Sequence, residues 1–169
     1  HWAYSAIRSA VDSGIVNGYG DGTFRPAATV TNAHFNAMMA RAFFPGEAED
    51  ASGRWWSAYV SLNQERGLLE GTSLQAARTA QGTYDGCINQ AISRYDMAQM
   101  LYNLLLEQGA ELPDEAAMQA VQGRMDDWAQ IPAGYREAVA ACYALGVLNG
   151  QSNGCFGGDN PMNRAQGCT

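Results

Sequence analysis

The sequence predicts an all-α fold assembled from three helix–loop–helix repeats, and three observations carry that prediction. A five-residue phrase recurs: Gly14-Ile15-Val16-Asn17-Gly18 returns as Gly67-Leu68-Leu69-Glu70-Gly71 and again as Gly146-Val147-Leu148-Asn149-Gly150. An apolar residue stands seven positions before each opening glycine, at Ile7, Val60 and Val139. The 169 residues are 47% hydrophobic and only 16% charged, which is enough apolar surface for a shared core and too much for a disordered chain.

The repeat register divides the chain into copy one (1–47), copy two (48–110) and copy three (111–169). Asn32 and Arg164 each stand fourteen residues after the closing glycine of their phrase. The matching Arg94 stands twenty-three after Gly71, so copy two carries a nine-residue insertion somewhere within Thr72 to Gln90. Internal repetition at this spacing outranks any local signal.

Each copy opens with a helix. Ala6, Ile7, Ala10 and Val11 form an apolar stripe in copy one, and Ala138, Val139, Cys142 and Tyr143 repeat it in copy three. Copy two places Asn63 and Gln64 on that face, so its packing must differ. Gly14, Gly67 and Gly146 then fall at helix C′ positions, each followed by the apolar residue that a Schellman cap closes on. The stretch from Tyr19 to Pro26 is a turn-rich loop.

The second helix of each copy begins after a cap residue: Thr31, Ser93 or Asn163. Three positions on, Asp96 and Gln166 are placed to reach back to the cap amide. Val30 with Phe35, and Ile92 with Met97, have the spacing of hydrophobic staples; copy three has Gly167 where its staple would be. Apolar stripes follow at Phe35, Met38, Met39, Ala42 and Phe43, and at Met97, Met100, Leu101, Leu104 and Leu105. They are too wide for isolated hairpins, so the repeats must pack on one another, stacked or radially arranged. Leu112-Pro113-Asp114-Glu115 starts a further helix, and Glu47, Glu49 and Asp50 mark a surface junction.

Charge narrows the partners. Ten arginines and no lysine face seventeen acids, for a net charge of −7, which argues against nucleic acid and against anionic membranes. No apolar run approaches the ~18 residues of a membrane helix. The chain begins at His1 and stops at Thr169 inside a helix pattern, so it reads as a piece of a longer protein. Cys87, Cys142, Cys155 and Cys168 contain no CxxC pair and no nearby His, against a zinc site; their disulfide pairing stays open. Gly20-Asp21-Gly22 offers one carboxylate, too few for a calcium loop. No catalytic fingerprint is present, and no cofactor is expected.

Arg94 and Arg164 fall at the first position of a helix, where the macrodipole disfavours a cation by roughly 0.3–1 kcal/mol. An anion held between guanidinium and helix amides would explain the placement, and so would a neighbouring surface acid. Trp2, Trp55 and Trp56 precede the first helices and are equally read as sugar-stacking faces or as packing. Gly18, Gly71 and Gly150 suit either close ligand approach or a tight turn.

The run His1-Trp2-Ala3, Ala6-Ile7 and Gly14-Ile15-Val16-Asn17-Gly18-Tyr19-Gly20-Asp21-Gly22-Thr23-Phe24-Arg25-Pro26 resembles a repeat of the S-layer homology family. The resemblance is close in copy one, moderate in copy three and looser in copy two. It implies a pseudo-threefold helical bundle of three repeats that binds an acidic, pyruvylated secondary cell-wall polysaccharide. It also implies a non-catalytic, extracellular, wall-associated segment of an exported bacterial protein of Gram-positive type, with a cargo domain elsewhere in the chain. The family's Thr-Arg-Ala-Glu signature, whose Arg meets the sugar's carboxylate, corresponds to Ser93-Arg94-Tyr95-Asp96 and Asn163-Arg164-Ala165-Gln166. Copy one has Thr31-Asn32-Ala33-His34, without the Arg and the acid. The implied polysaccharide-binding residues are therefore Arg94, Arg164, Ser93, Asn163, Asn32, Trp2, Trp55, Gly18, Gly71 and Gly150. The alternative is a structural, self-associating scaffold whose glycan site has degenerated.

Overall fold

The structure is a computed structural model that describes residues 1–48, 53–79, 84 and 86–169. Its elements are α1 (Tyr4–Asp12), α2 (Asn32–Phe43), α3 (Ser57–Glu65), α4 (Ser73–Ala76), α5 (Arg94–Glu107), α6 (Glu115–Gln122), α7 (Arg136–Ala144) and α8 (Arg164–Gly167), with 3₁₀ turns at Trp128–Gln130 and Ala133–Tyr135. The only extended pairings among the described residues are isolated bridges, Thr29 with Asn163 and Thr31 with Ala91. The fold is all-α. Glu47 is exposed, whereas Glu49 and Asp50 lie outside the described residues.

The helix ends follow the chemistry of the repeated phrase. At the end of α1, Gly14 takes φ 72°, its amide donates to Val11 O and the Ile15 amide donates to Ala10 O. At the end of α7, Gly146 takes φ 70°, with the same pair of bonds to Tyr143 O and Cys142 O. Both are Schellman caps, which require the left-handed conformation that glycine adopts without strain. At the other ends, Thr31, Ser93 and Asn163 each accept the amide three residues on. Asp114 does the same for α6.

The chain forms two compact units. The first comprises His1–Glu65, Tyr84–Ile92 and Pro161–Thr169. Here α2 packs on α3 over Val30, Phe35, Met39, Val60, Ile88 and Ile92, all buried. Asn36 and Asn63 are wholly buried in this contact, and Asn63 Nδ2 donates to Asn36 O and Oδ1 at 2.9 and 2.8 Å. That bond accounts for the polar face of copy two's first helix. Two expected core residues are instead exposed, Val11 at 40% and Phe43 at 47%. Ala10, about 100° round the helix from Val11, fills the α1 contact. Phe44 leaves helical geometry and takes the buried position at the end of α2.

The second unit comprises Arg66–Thr83 and Ser93–Asn160. In it α7 packs against α5 and α6 around Leu68, Met100, Val121, Val139, Cys142 and Phe156. Burial pushes the Cys142 thiol up to about 12, and the residue behaves as a core hydrophobe. All four cysteines are unbridged. Asp96 does not play the reciprocal capping role expected of it. Its carboxylate accepts from the Ser73 amide at 2.7 Å and the Tyr135 hydroxyl at 2.8 Å, tying α4 and the second 3₁₀ turn to the start of α5. The phenol is held well above its ordinary value, by burial and then by that carboxylate.

One glycine in the second unit is fixed by crowding. A Cβ on Gly158 would lie inside the ring of Tyr95, whose amide donates to Gly158 O at 3.1 Å. Gly158→Ala should cost about 1–3 kcal/mol, a melting shift of roughly 2–4 °C per kcal/mol. Gly86→Ala, with open space around it, should leave the melting temperature unchanged in the same calorimetric comparison.

Candidate functional site: a cationic groove in the first unit

The start of each second helix sits on the loop of a different copy. In the first unit, the Arg164 amide donates to Ala28 O and the Ala165 amide to Pro26 O, at 2.8 and 3.0 Å. The Asn32 amide donates to Gln90 O and the Ala33 amide to Ile88 O, at 3.0 and 2.9 Å. In the second unit the Tyr95 amide takes Gly158 O. The helix amides expected to await an anion are thus already occupied, by loop carbonyls and by the cap side chains.

The arginines complete these seams. Arg164 Nε donates to Phe24 O at 3.0 Å and Nη2 to Asn17 O at 2.6 Å, with the guanidinium over the rings of Phe24 and Tyr19. Arg94 repeats the pattern in the second unit: Nε to Phe156 O at 3.0 Å, Nη2 to Asn149 O at 2.6 Å, and the guanidinium over Phe156. Two fixed carbonyl acceptors and an aromatic face explain a cation at a helix N-terminus without any ligand. Asp127, which accepts the Phe156 and Gly157 amides, braces the same loop. Arg94 is only 8% exposed, and burial lowers its pKa, with the Asp127 charge acting the other way.

In copy one the position belongs to Asn32, which is 5% exposed and donates Nδ2 to Cys87 O at 3.0 Å. It reproduces one bond of the clasp with a shorter, neutral side chain and does not reach solvent.

Of the three equivalent residues Asn32, Arg94 and Arg164, only Arg164 both holds a loop and lines a cationic groove. It lines a groove of about 260 Å³ with Asn17, Gly18, Tyr19, His34, Arg41 and Trp55. No carboxylate lines this groove among the described residues. Among the described residues Arg164 Nη1 has no hydrogen-bond acceptor. Arg41 gives Nε and Nη2 to the Tyr59 hydroxyl at 3.1 and 3.0 Å, and its Nη1 is likewise uncommitted. The loop beneath is rigid: the Asp21 carboxylate takes the Thr23 amide, the Thr23 hydroxyl and Arg25 Nη2, and is held down at about 2 by these bonds. That leaves Asp21 engaged within its own loop.

The remaining candidates fall elsewhere. Trp2 is 68% exposed and stacks on His1, outside the groove. Ser93 and Asn163 serve as caps. A Cβ on Gly18 or Gly150 would press on a carbonyl across the turn, Thr23 O or Cys155 O, and Gly71 backs onto Gln99. Sequence reasoning missed Arg41 and missed His34 as a lining residue. Their spacing with Met38, at i, i+4 and i+7, is one helix face and was the available signal. The second unit has its own cavity of about 260 Å³, lined by Tyr95, Gln151 and Asn160 with the acids Asp127 and Asp159, and no cation lines it.

The two units are small and α-helical, each built by matching loops between repeated copies, and the first bears an acid-free cationic groove. Residues 1–35 and 124–166, in the first and third copies, match the S-layer homology domain. S-layer homology domains are non-catalytic cell-wall anchoring modules of exported proteins. The chain is 28% identical over 173 residues to an amylopullulanase of Thermoanaerobacterium thermosulfurigenes, covering 98% of this chain and 8% of that protein. It is 24% identical over 176 residues to exoglucanase XynX of Acetivibrio thermocellus, covering 98% and 15%. It is 30% identical over 105 residues to endo-1,4-beta-xylanase A of Thermoanaerobacterium saccharolyticum, covering 58% and 8%. The chain therefore spans only a small part of the relatives it matches. No helix among the described residues is long and apolar enough to cross a membrane.

The buried clasp should carry more stability than the open one. Arg94→Lys replaces a two-bond fork with a point charge and should lose about 2–3 kcal/mol in urea denaturation. Arg164→Lys should lose clearly less. Equal, near-zero losses would contradict a clasp.

Proposed function

We propose that this segment anchors a longer exported protein to a bacterial cell wall of Gram-positive type by holding an acidic, pyruvylated secondary wall polysaccharide. The observation that supports this reading is the groove of the first unit. In a chain of net charge −7, one concave surface is lined by Arg164, Arg41 and His34 with no acid among them. A carboxylate entering it meets the uncommitted Nη1 edges of two arginines, and a sugar ring meets Trp55, which is 51% exposed. A locally cationic groove overcomes the repulsion of the acidic whole.

The arginines then divide their roles. Arg164 contacts the ligand with Trp55 and the Gly18 turn, Asn32 and Asn163 shape the first unit's loops, and Arg94, Ser93, Gly71 and Gly150 shape loops of the second unit. The relatives supply the cargo: each is named as an enzyme acting on a polysaccharide, so the remainder of this protein carries such an activity while this segment contributes attachment.

Co-sedimentation with purified Gram-positive walls tests the reading. Wild-type protein should pellet with intact walls and stay in solution after chemical removal of the polysaccharide. An Arg41→Ala, Arg164→Ala double variant, assayed below its lowered melting temperature where it is still helical, should lose at least about tenfold in affinity, the scale of one or two charge-assisted hydrogen bonds. Undiminished binding by the double variant would overturn the groove assignment. Concentration-dependent association without wall binding would favour the scaffold reading.

A further inference from the structure

The groove holds one ionisable group that the arginines do not explain. His34 stands where copy two has Asp96 and copy three has Gln166, and in those copies the side chain is committed to structure. His34 is not. Its ring packs against Trp55, centroids 5.2 Å apart at 38°, and lines the groove between α2 and the start of α8.

Its one polar ring contact among the described residues is Nδ1 to Thr31 Oγ1, at 2.8 Å. Thr31 Oγ1 already accepts the His34 amide at 3.3 Å, so its hydroxyl hydrogen is available to a neutral Nδ1. When the ring is charged, Nδ1–H donates to the second lone pair of the same oxygen. The helix cap survives either state, and Nε2–H is free in both. Protonation therefore changes the charge of the groove without breaking a bond of the fold.

We propose that His34 is a specificity-determining residue of this groove, taking up a proton together with an acidic ligand so that binding tightens as the pH falls from neutral towards 5. The proposal rests on the reading that the groove holds an acidic glycan. The charged and titratable groups that line the groove with His34 are Arg164 from α8, Arg41 from its own helix and Tyr19 from the loop. None of them is a carboxylate. Desolvation, and then the positive charge of Arg164, hold the imidazole below its ordinary value, so the empty groove carries a neutral ring at pH 7.

A bound carboxylate favours the charged ring and raises its pKa. Binding must then take up protons in the window between the empty and the occupied pKa values, and affinity rises as pH falls through that window. Below the empty value the gain is complete. A sugar carboxylate that stays ionised at pH 5 gains this third cation, whereas a neutral sugar gains nothing.

The test is titration calorimetry at pH 5.0, 6.0 and 7.5 with a methyl glycoside bearing a pyruvate ketal, and with the same glycoside lacking the ketal. Wild-type protein should bind the ketal about three- to tenfold more tightly at pH 5.0 than at 7.5, the scale of a sub-unit to one-unit pKa rise. His34→Gln should show no such gain, binding the ketal with one affinity across the three pH values. The His34 proton resonance should titrate with a midpoint below 6.5 in the free protein and move upward with the ketal.

A pH-independent affinity that Arg41→Ala, Arg164→Ala nevertheless abolishes would overturn the role of His34 and leave the groove reading intact. Failure of the ketal to bind at any pH, with no movement of the His34 resonance, would overturn both. A pH gain that persists in His34→Gln would assign the proton to another group and overturn this proposal alone.

Discussion

The guanidinium that reaches from the start of one copy's second helix to two carbonyls of another copy's loop is the constraint on which the structure depends. Each short copy leaves a turn-rich loop with unpaired carbonyls and a helix start with unpaired amides, and neither can be buried alone. Matching the two across copies satisfies both at once. Arg164 on Phe24 O and Asn17 O, and Arg94 on Phe156 O and Asn149 O, are the same solution in two units. Backbone amides next to each arginine complete the seam, and aromatic rings lie under the guanidiniums.

Equivalent residues differ in exposure. Arg94 is buried, and its charge serves the loop beneath it. Arg164 makes the same two bonds and still presents an edge to the groove, where Arg41 and His34 join it. Asn32 shows the limiting case, a side chain that keeps one clasp bond and abandons charge altogether. Copies that share one pattern thus hold one groove-lining arginine, one buried arginine and one neutral substitute. Repetition supplied the geometry, and local burial decided the chemistry.

Much of this was legible in the sequence, because the information was local. The Schellman glycines Gly14 and Gly146 and the cap residues Thr31, Ser93 and Asn163 act within four or five residues of themselves, and all adopt the expected form. The family resemblance likewise rested on contiguous residues. What the sequence hid is long-range. Nothing near Arg94 or Arg164 announces that their partners lie at Asn149, Phe156, Asn17 and Phe24, so free helix amides were expected where loop carbonyls sit. Asp96 was assigned to its own cap because its partners, Ser73 and Tyr135, come from distant segments. Arg41 was overlooked because its value depends on which helix face borders open space.

On the proposed function, Arg164 and Arg41, and not Arg94, meet the acidic group of the wall polysaccharide. The most direct measurement follows the side-chain Nε–H resonances of the arginines and the indole N–H of Trp55 by nitrogen-edited NMR during addition of released wall polysaccharide fragments. The account predicts saturable shifts at Arg164, Arg41 and Trp55 while Arg94 stays fixed. Shifts at Arg94 with Arg164 and Arg41 unmoved would contradict it.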